Sequence, residues 1–269
     1  MTTHSHSHAG TALITGASSG IGAIYADRLA RRGHDLILVA RSRSRLEALA
    51  RRITDDTGRS VEIVTADLGL AADVRRIEDL LRSDASITTL VNNAGVGAAA
   101  PLLVSDVDKM QAMIELNVTA LTRLTYAAAP AFVARGEGTI INIASIVAVA
   151  PEVLNGVYGG SKAFVLAFTQ SLQHELAGKG VRVQAVLPGA TRTEFWDTAG
   201  QPVENLPQGI VMSGDDLVDA ALSGLDQGEV VTVPSLPDDA DWKAFDAARA
   251  ALGPNLSRDQ PAARYGVAR

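Results

Sequence analysis

Ala12-Leu13-Ile14-Thr15-Gly16-Ala17-Ser18-Ser19-Gly20-Ile21-Gly22 joins a short apolar run to a glycine-rich turn and the start of a helical pattern. A brief apolar run bounded by turn residues reads as a strand. Glycine lets backbone approach a diphosphate closely, and a helix N-terminus offers free N–H groups and a positive dipole. Gly16, Gly20 and Gly22 have the spacing GxxxGxG, which departs from the generic dinucleotide fingerprint GxGxxG. A strand–helix turn can need glycine for its own sake, but a place directly after the first strand points to a phosphate cradle.

The pattern repeats outward from this stretch. Strand-like runs occupy 12–15, 35–40, 61–66, 88–93, 138–144, 181–187 and 229–233, with helical patterns near 20–32, 43–56, 71–83, 106–134, 155–178 and 214–226. Such alternation predicts βαβ units in a parallel sheet with helices on both faces. The near-continuous apolar strands agree, because strands of that kind are buried on both sides. Ligands of these sheets bind at the carboxyl ends of the strands. Gly33 suits the C-terminal cap of the first helix. The expected organisation is a disordered segment over 1–9, one doubly wound, Rossmann-type α/β domain over 10–235 and a C-terminal extension over 236–269. That extension holds at most one short helix near 239–251 and reads as a surface arm or an oligomer contact.

The 269 residues are 47% hydrophobic and 20% charged, which fits a globular protein with a sizeable core. A net charge of −6 gives no reason to expect a nucleic-acid or acidic-membrane partner. The absence of cysteine excludes disulfides, thiolate nucleophiles and cysteine metal sites. No apolar run reaches the length of about 18 residues that a membrane span needs. The first ten residues lack a signal core, so a cytoplasmic protein is expected. His4, His6 and His8 read as a polar end rather than a metal site. His34 and His174 carry no ligand spacing, and no metal is expected.

Arg41 and Ser42 follow the second strand, where NAD-preferring sites place an acid that accepts from the ribose 2′-hydroxyl. A guanidinium there suits a 2′-phosphate, although Arg43, Arg45, Arg51 and Arg52 would also build a plain solvated face. NADP is therefore the expected cofactor. Asp67-Leu68 and Asn92-Asn93-Ala94-Gly95 close the third and fourth strands. Either stretch is compatible with a structural turn or with a cofactor passing over it. Asn117 sits within the apolar pattern 106–134; buried, it needs partners, and the alternative is a surface asparagine.

Tyr158 and Lys162 stand four apart in a helical pattern and so share a face. A free tyrosine, with a pKa of about 10, is a poor acid–base catalyst at neutral pH. A neighbouring ammonium stabilises the phenolate and lowers that value. Only four of the 24 basic residues are lysine, so position 162 calls for a compact ammonium rather than a guanidinium. Ser145 ends the fifth strand, thirteen residues before Tyr158. Gly159 and Gly160 each cost roughly 1 kcal/mol of helix propensity against alanine, which a close approach of backbone would explain. Gly159-Gly160-Ser161-Lys162-Ala163 is not a GxSxG elbow, and His174 has no support as a triad base, so a hydrolase is disfavoured.

In order, TGASSGIG (15–22), NNAG (92–95), Asn117, Ser145, Tyr158-x-x-x-Lys162 and Pro188-Gly189-x-x-x-Thr193 resemble the short-chain dehydrogenase/reductase family over residues 10–235. The resemblance implies a doubly wound sheet of seven strands and a tightly bound NAD(P). It also implies a homodimer or homotetramer, joined through the long helices near 106–134 and 155–178. On the matching positions, Tyr158 would be general acid for carbonyl reduction and base for alcohol oxidation. Ser145 would bond the substrate oxygen, Lys162 would hold the nicotinamide ribose, and Asn117 would position a water linking Lys162 to solvent. Gly16, Ser18, Ser19, Gly20, Ile21 and Gly22 would line the diphosphate, with Asp67 and Leu68 bordering the adenine. Asn93, Ala94 and Gly95 would run along the ribose. Pro188, Gly189, Thr191 and Thr193 would contact the nicotinamide end. YGGSK departs from the family at its second glycine, where alanine or serine is commoner.

The expected activity is hydride transfer from NADPH to a ketone or aldehyde, with Tyr158 as general acid. A hydrophobic small-molecule substrate would meet residues 95–103, Ile146 to Leu154 and 191–213, including Phe195 and Trp196; these two aromatics would serve equally as ordinary lid packing. An NAD-linked alcohol or hydroxysteroid dehydrogenase working oxidatively is disfavoured by Arg41. A non-catalytic NADP-binding redox sensor is disfavoured by the presence of both Tyr158 and Lys162.

Overall fold

The computed structural model describes residues 9–267, so the expectations for His4, His6 and His8 lie outside the described residues. The first half of the chain forms β1 (Thr11–Thr15), α1 (Gly20–Arg31), β2 (Asp35–Ala40), α2 (Arg43–Thr57), β3 (Val61–Thr65), α3 (Ala71–Ser83) and β4 (Ile87–Asn92). The second half forms α4 (Val107–Ile114), α5 (Leu121–Arg135), β5 (Gly138–Ile143), α6 (Gly156–Leu176) and β6 (Val181–Val186). Then come β7 (Thr191–Arg192), α7 (Phe195–Ala199), β8 (Met212–Ser213), α8 (Gly214–Asp226), β9 (Val231–Thr232) and α9 (Asp239–Ala251).

Seven strands pair in parallel in the order β3-β2-β1-β4-β5-β6-β9, the doubly wound sheet that the strand–helix alternation predicts. Alternate residues of each strand serve opposite cores. Ala12, Ile14, Leu36 and Leu38 pack with α1, α2 and α8. Leu13, Ile37, Val39 and Leu90 pack with α3, α5 and α6. Two-sided burial is why these strands read as unbroken apolar runs. The winding reverses between β1 and β4, so the loops after those strands diverge and open a crevice at the carboxyl edge.

The single helix expected over 106–134 is interrupted. Between α4 and α5, Glu115–Ala120 forms a π-helical turn that contains Asn117. Such turns insert one extra residue into the helical ladder, and they recur at functional sites. The helical periodicity of 106–134 hides the insertion, because the apolar face continues through it.

The described residues up to Pro234 form one unit and those from Ser235 onward a second. In the first, Arg28 on α1 reaches Asp215 and Asp219 on α8, both at 2.7 Å, and Asp27 at 2.8 Å. In the second, α9 is capped by Asp238, whose carboxylate accepts from the Ala240 N–H, and carries the Trp242 and Phe245 rings 5.4 Å apart.

Candidate active site

At the carboxyl end of β1 the chain turns through Gly16, at φ +65°, and Gly20, at φ +53°, conformations that side-chain-bearing residues rarely adopt. A Cβ on Gly16 would meet Ala94 Cα at 2.9 Å, and one on Gly22 would collide with the Gly16 carbonyl. Asn93 stitches this turn to β4: its Nδ2 donates to the carbonyls of Thr15, at 2.9 Å, and Gly16, at 3.1 Å. Thr15 Oγ1 in turn accepts from the N–H groups of Asn93 and Ala94. Ser19 is the N-cap of α1, yet its side chain caps no N–H. The first-turn amides of α1 therefore have neither an intrahelical acceptor nor a serine cap, and they face the crevice as an anion site needs. An open glycine turn leading into a helix N-terminus is a geometry that accepts phosphate groups.

Arg41 is exposed just past β2, whose Val39 pairs with Thr15 of β1, and it makes no ion pair among the described residues. Asp67 is half-buried and turned inward on its own loop, with Oδ1 accepting from Gly69 N at 3.0 Å. Leu68 is buried in the core beside α3.

Ser145, Tyr158, Lys162 and Asn117 converge at the ends of β4 and β5, each less than a tenth exposed. Asn155 caps α6 with its carboxamide oxygen, so Tyr158 lies in the first turn and Lys162 one turn on. The Ser145 side chain acts on the Tyr158 phenol and favours its ionised form. Ser145 Oγ donates to the Pro188 carbonyl at 3.3 Å, which ties it to the loop after β6. Lys162 Nζ donates to the Ile143 carbonyl at 2.9 Å and stands 5.9 Å from the centre of the Tyr158 ring. Asn117 is bound on three sides: Oδ1 accepts from Val96 N at 3.0 Å, and Nδ2 donates to Val96 O at 2.9 Å and to Ser161 Oγ at 3.2 Å. It is a buried, satisfied asparagine, not a surface one. A Cβ on Gly95 would stand 3.0 Å from Asn117 Oδ1 and 3.5 Å from Lys162 Nζ, so glycine keeps that approach open.

One electrostatic expectation is corrected. Burial is the largest influence on Tyr158 and pushes its phenol up to about 12, while the Ser145 side chain pulls the other way. Burial also pushes Lys162 down to about 8. The ammonium stands 5.9 Å from the ring centre, and its own charge is expensive in this setting. A second correction concerns the paired glycines. A Cβ on Gly159 would crowd Pro151 at 3.2 Å, but one on Gly160 would meet open space. Only the first of them is needed for close approach.

Residues 191–196 lie over the crevice. Thr193 is the nearest group to a Cβ built on Gly20, at 3.3 Å. The Phe195 ring stands 5.8 Å from Tyr158 and covers Gly97, and Trp196 is buried with Nε1 donating to the Thr191 carbonyl at 2.8 Å. Trp196 is thus lid packing, whereas Phe195 borders the tyrosine. Sequence reading passed over Asn155 and Ser161; an asparagine just ahead of an apolar helix is an N-cap signal that would have found the first. Among the described residues no group of three metal-ligating side chains gathers, and no helix is long and apolar enough to cross a membrane.

Residues 10–203 match the family model described as short chain dehydrogenase. A short-chain dehydrogenase from Sphingobium yanoikuyae in complex with NADPH is 51% identical, with a TM-score of 0.91 over 94% of this chain and 98% of that one. The bulky-bulky ketone specific alcohol dehydrogenase from Comamonas testosteroni is 44% identical, with a TM-score of 0.89 over 96% and 99% of the two chains. Very-long-chain 3-oxoacyl-CoA reductase from Anas platyrhynchos is 36% identical over 191 residues, 68% of this chain, and the chain spans 60% of that relative's length.

Proposed function

The chain belongs to the short-chain dehydrogenase family, an oxidoreductase by that membership, and on that premise we propose that it is an NADPH-dependent reductase of hydrophobic ketones or aldehydes. One observation carries the reading: Tyr158, Ser145 and Lys162 are buried together, with Lys162 on the same helix face as Tyr158 and the open glycine turn after β1 on the same sheet edge. The likeness to an NADPH complex and to a ketone-specific alcohol dehydrogenase supports both cofactor and substrate class.

The cradle of Gly16 to Gly22 would hold the diphosphate, Arg41 the 2′-phosphate and Lys162 the nicotinamide ribose. The bound nicotinamide supplies the hydride. Ser145 and Tyr158 orient the substrate oxygen, and Tyr158 delivers its phenolic proton to that oxygen as it becomes an alkoxide. A phenol held high by burial stays protonated at neutral pH, which suits reduction over alcohol oxidation. Phe195 and the loop after β4 exclude water from the reacting carbon.

NADPH oxidation followed against a panel of aryl and alkyl ketones and aldehydes tests the assignment. Tyr158→Phe is expected to lose turnover by on the order of a thousand-fold or more, with NADPH still bound. Arg41→Asp is expected to lower the NADP/NAD ratio of kcat/KM by on the order of ten-fold or more. Turnover retained by the phenylalanine variant would refute the mechanism, and an unchanged ratio would refute the NADP preference.

A further inference from the structure

The loop after β4 is fastened to the helix that carries Tyr158 at two separate points. Asn117 grips Val96 and also Ser161, the residue before Lys162. Asn155, which caps α6, makes the second attachment. Its backbone N–H donates to the Ala98 carbonyl at 3.3 Å. Its side-chain Nδ2 donates to the Ala100 carbonyl at 2.7 Å and to Ser105 Oγ at 3.1 Å. The other end of the same carboxamide caps α6, accepting from Val157 N at 2.8 Å and Tyr158 N at 3.4 Å. Ser105 Oγ also lies within hydrogen-bond reach of the Ala100 and Pro101 carbonyls, at 2.9 and 3.0 Å.

The arrangement has a direct mechanical consequence. Asn155 is 5% exposed, so the carboxamide has little water to turn to if either set of bonds breaks. The donors face the loop and the acceptor faces the helix. One buried side chain thereby fixes the distance from the first turn of α6, where Tyr158 sits, to the loop over 98–105. That loop carries the exposed Leu102 and Leu103 at its far side and begins beside Gly97, under the Phe195 ring. Its other tie across the chain is the Ala99 N–H, which donates to the Ala199 carbonyl at 3.3 Å, and its one turn of 3-10 helix, Leu102–Val104, has no buried side chain.

We propose that Asn155 is a positioning residue that sets the substrate-facing loop against Tyr158, and so governs ketone binding more than the chemical step. The proposal rests on the reductase reading given above. Its two functions can be separated, because serine is a good N-cap but is too short to reach Ala100 and Ser105. Asn155→Ser therefore keeps the cap and cuts the clasp, Asn155→Ala cuts both, and Ser105→Ala removes one clasp partner without touching the helix.

The test measures kcat, KM for a bulky aryl ketone and NADPH affinity, together with hydrogen exchange of the amides over 98–105. For Asn155→Ser and Ser105→Ala, KM is expected to rise about three- to ten-fold, the effect of one or two lost hydrogen bonds. NADPH affinity and kcat stay within about two-fold, and loop exchange quickens. Asn155→Ala adds a fall in kcat and in melting temperature. Wild-type KM and wild-type exchange in Asn155→Ser would overturn the clasp. A parallel fall of kcat, KM performance and melting temperature in the serine variant would also overturn it, by showing a cap and nothing more. Should the wild-type protein reduce no carbonyl, the reading of function fails instead, and loop exchange in the variants alone decides the clasp.

Discussion

Arg45 on α2 donates to the Glu194 carboxylate at 2.5 Å, closing a span of 149 residues between the helix that follows Arg41 and the segment that covers the crevice. Both side chains are more than half exposed, so the pair adds at most about 1 kcal/mol to stability. Its effect falls on the lid. Glu194 lies between Thr193, over the glycine turn, and Phe195, against Tyr158. Glu194→Gln is expected to leave the melting temperature within about 2 °C and to speed NADPH release about two- to five-fold at low salt. The difference should vanish near 1 M salt, where the Debye length is about 3 Å. Stopped-flow release rates decide; a salt-independent difference would remove the ionic latch.

The proposed reduction needs a protonated Tyr158 and a charged Lys162. Burial holds the phenol up at about 12, so its proton stays in place well above neutrality. Lys162 is the group that burial brings down to about 8. The kcat/KM for ketone reduction should stay level through neutral pH and fall as pH rises through about 8. In Lys162→Arg, whose guanidinium does not deprotonate in this range, the plateau is lower and that limb is gone. Initial rates from about pH 6 to about pH 10 report the plateau and the falling limb. A wild-type profile flat to the top of that range would exclude Lys162 as the titrating group.

The same lysine should cost stability. Its folded value lies below the ordinary lysine value, so the folded state binds the proton less tightly than the unfolded chain. The penalty is fully present below about pH 8, and it lessens as pH climbs toward the unfolded value near 10.5. Lys162→Met, which also gives up the bond to Ile143, should therefore be inactive yet more stable at neutral pH by roughly 1–3 kcal/mol. Urea titrations at pH 7 and at about pH 10 check the sign, because the gain must shrink at the higher pH. A destabilised methionine variant would mean that the Ile143 bond outweighs the buried charge.

Much of this was legible in the chain, for identifiable reasons. Two-sided burial writes itself as unbroken apolar runs, and the seven runs sit on the seven strands of the sheet. The i, i+4 spacing of Tyr158 and Lys162 placed both on one buried face of α6. The π-helical turn at Asn117 was not legible, since its extra residue leaves the apolar periodicity intact. The short β7–β8 pair was missed because two residues per strand give no alternation to read. Nor could spacing alone reveal how burial outweighs the influence of Ser145 at Tyr158, because that balance depends on the whole shell of packed atoms.

Gly160 offers a simple stability test. It lies on the exposed face of α6, and a Cβ there would meet nothing within 4 Å. Alanine loses less backbone entropy on folding and favours the helix. Gly160→Ala should raise stability by about 0.5–1 kcal/mol with unchanged kcat and KM. Gly159→Ala is the control: its Cβ would crowd Pro151 at 3.2 Å, so the same change one residue earlier should lose stability. Equal gains in both variants in urea titration would contradict the packing of Gly159.

Gly97 sets how closely Phe195 can approach Tyr158. Its backbone is in a region open to any residue, so alanine brings no φ strain. The obstacle is space, because the added Cβ would overlap the Phe195 ring. That ring has little retreat: Tyr158 stands 5.8 Å away on one side, and Trp196, pinned by its bond to Thr191, stands 5.6 Å away on another. Gly97→Ala must therefore swing the ring and shift the lid, lowering kcat/KM for a bulky ketone about ten-fold while NADPH affinity holds. Phe195→Leu in the same chain returns room for the methyl group and should recover most of the loss. A double-mutant cycle on kcat/KM measures the coupling, expected at about 1 kcal/mol or more. Additive losses would place the effect of Gly97 elsewhere than in the ring that covers it.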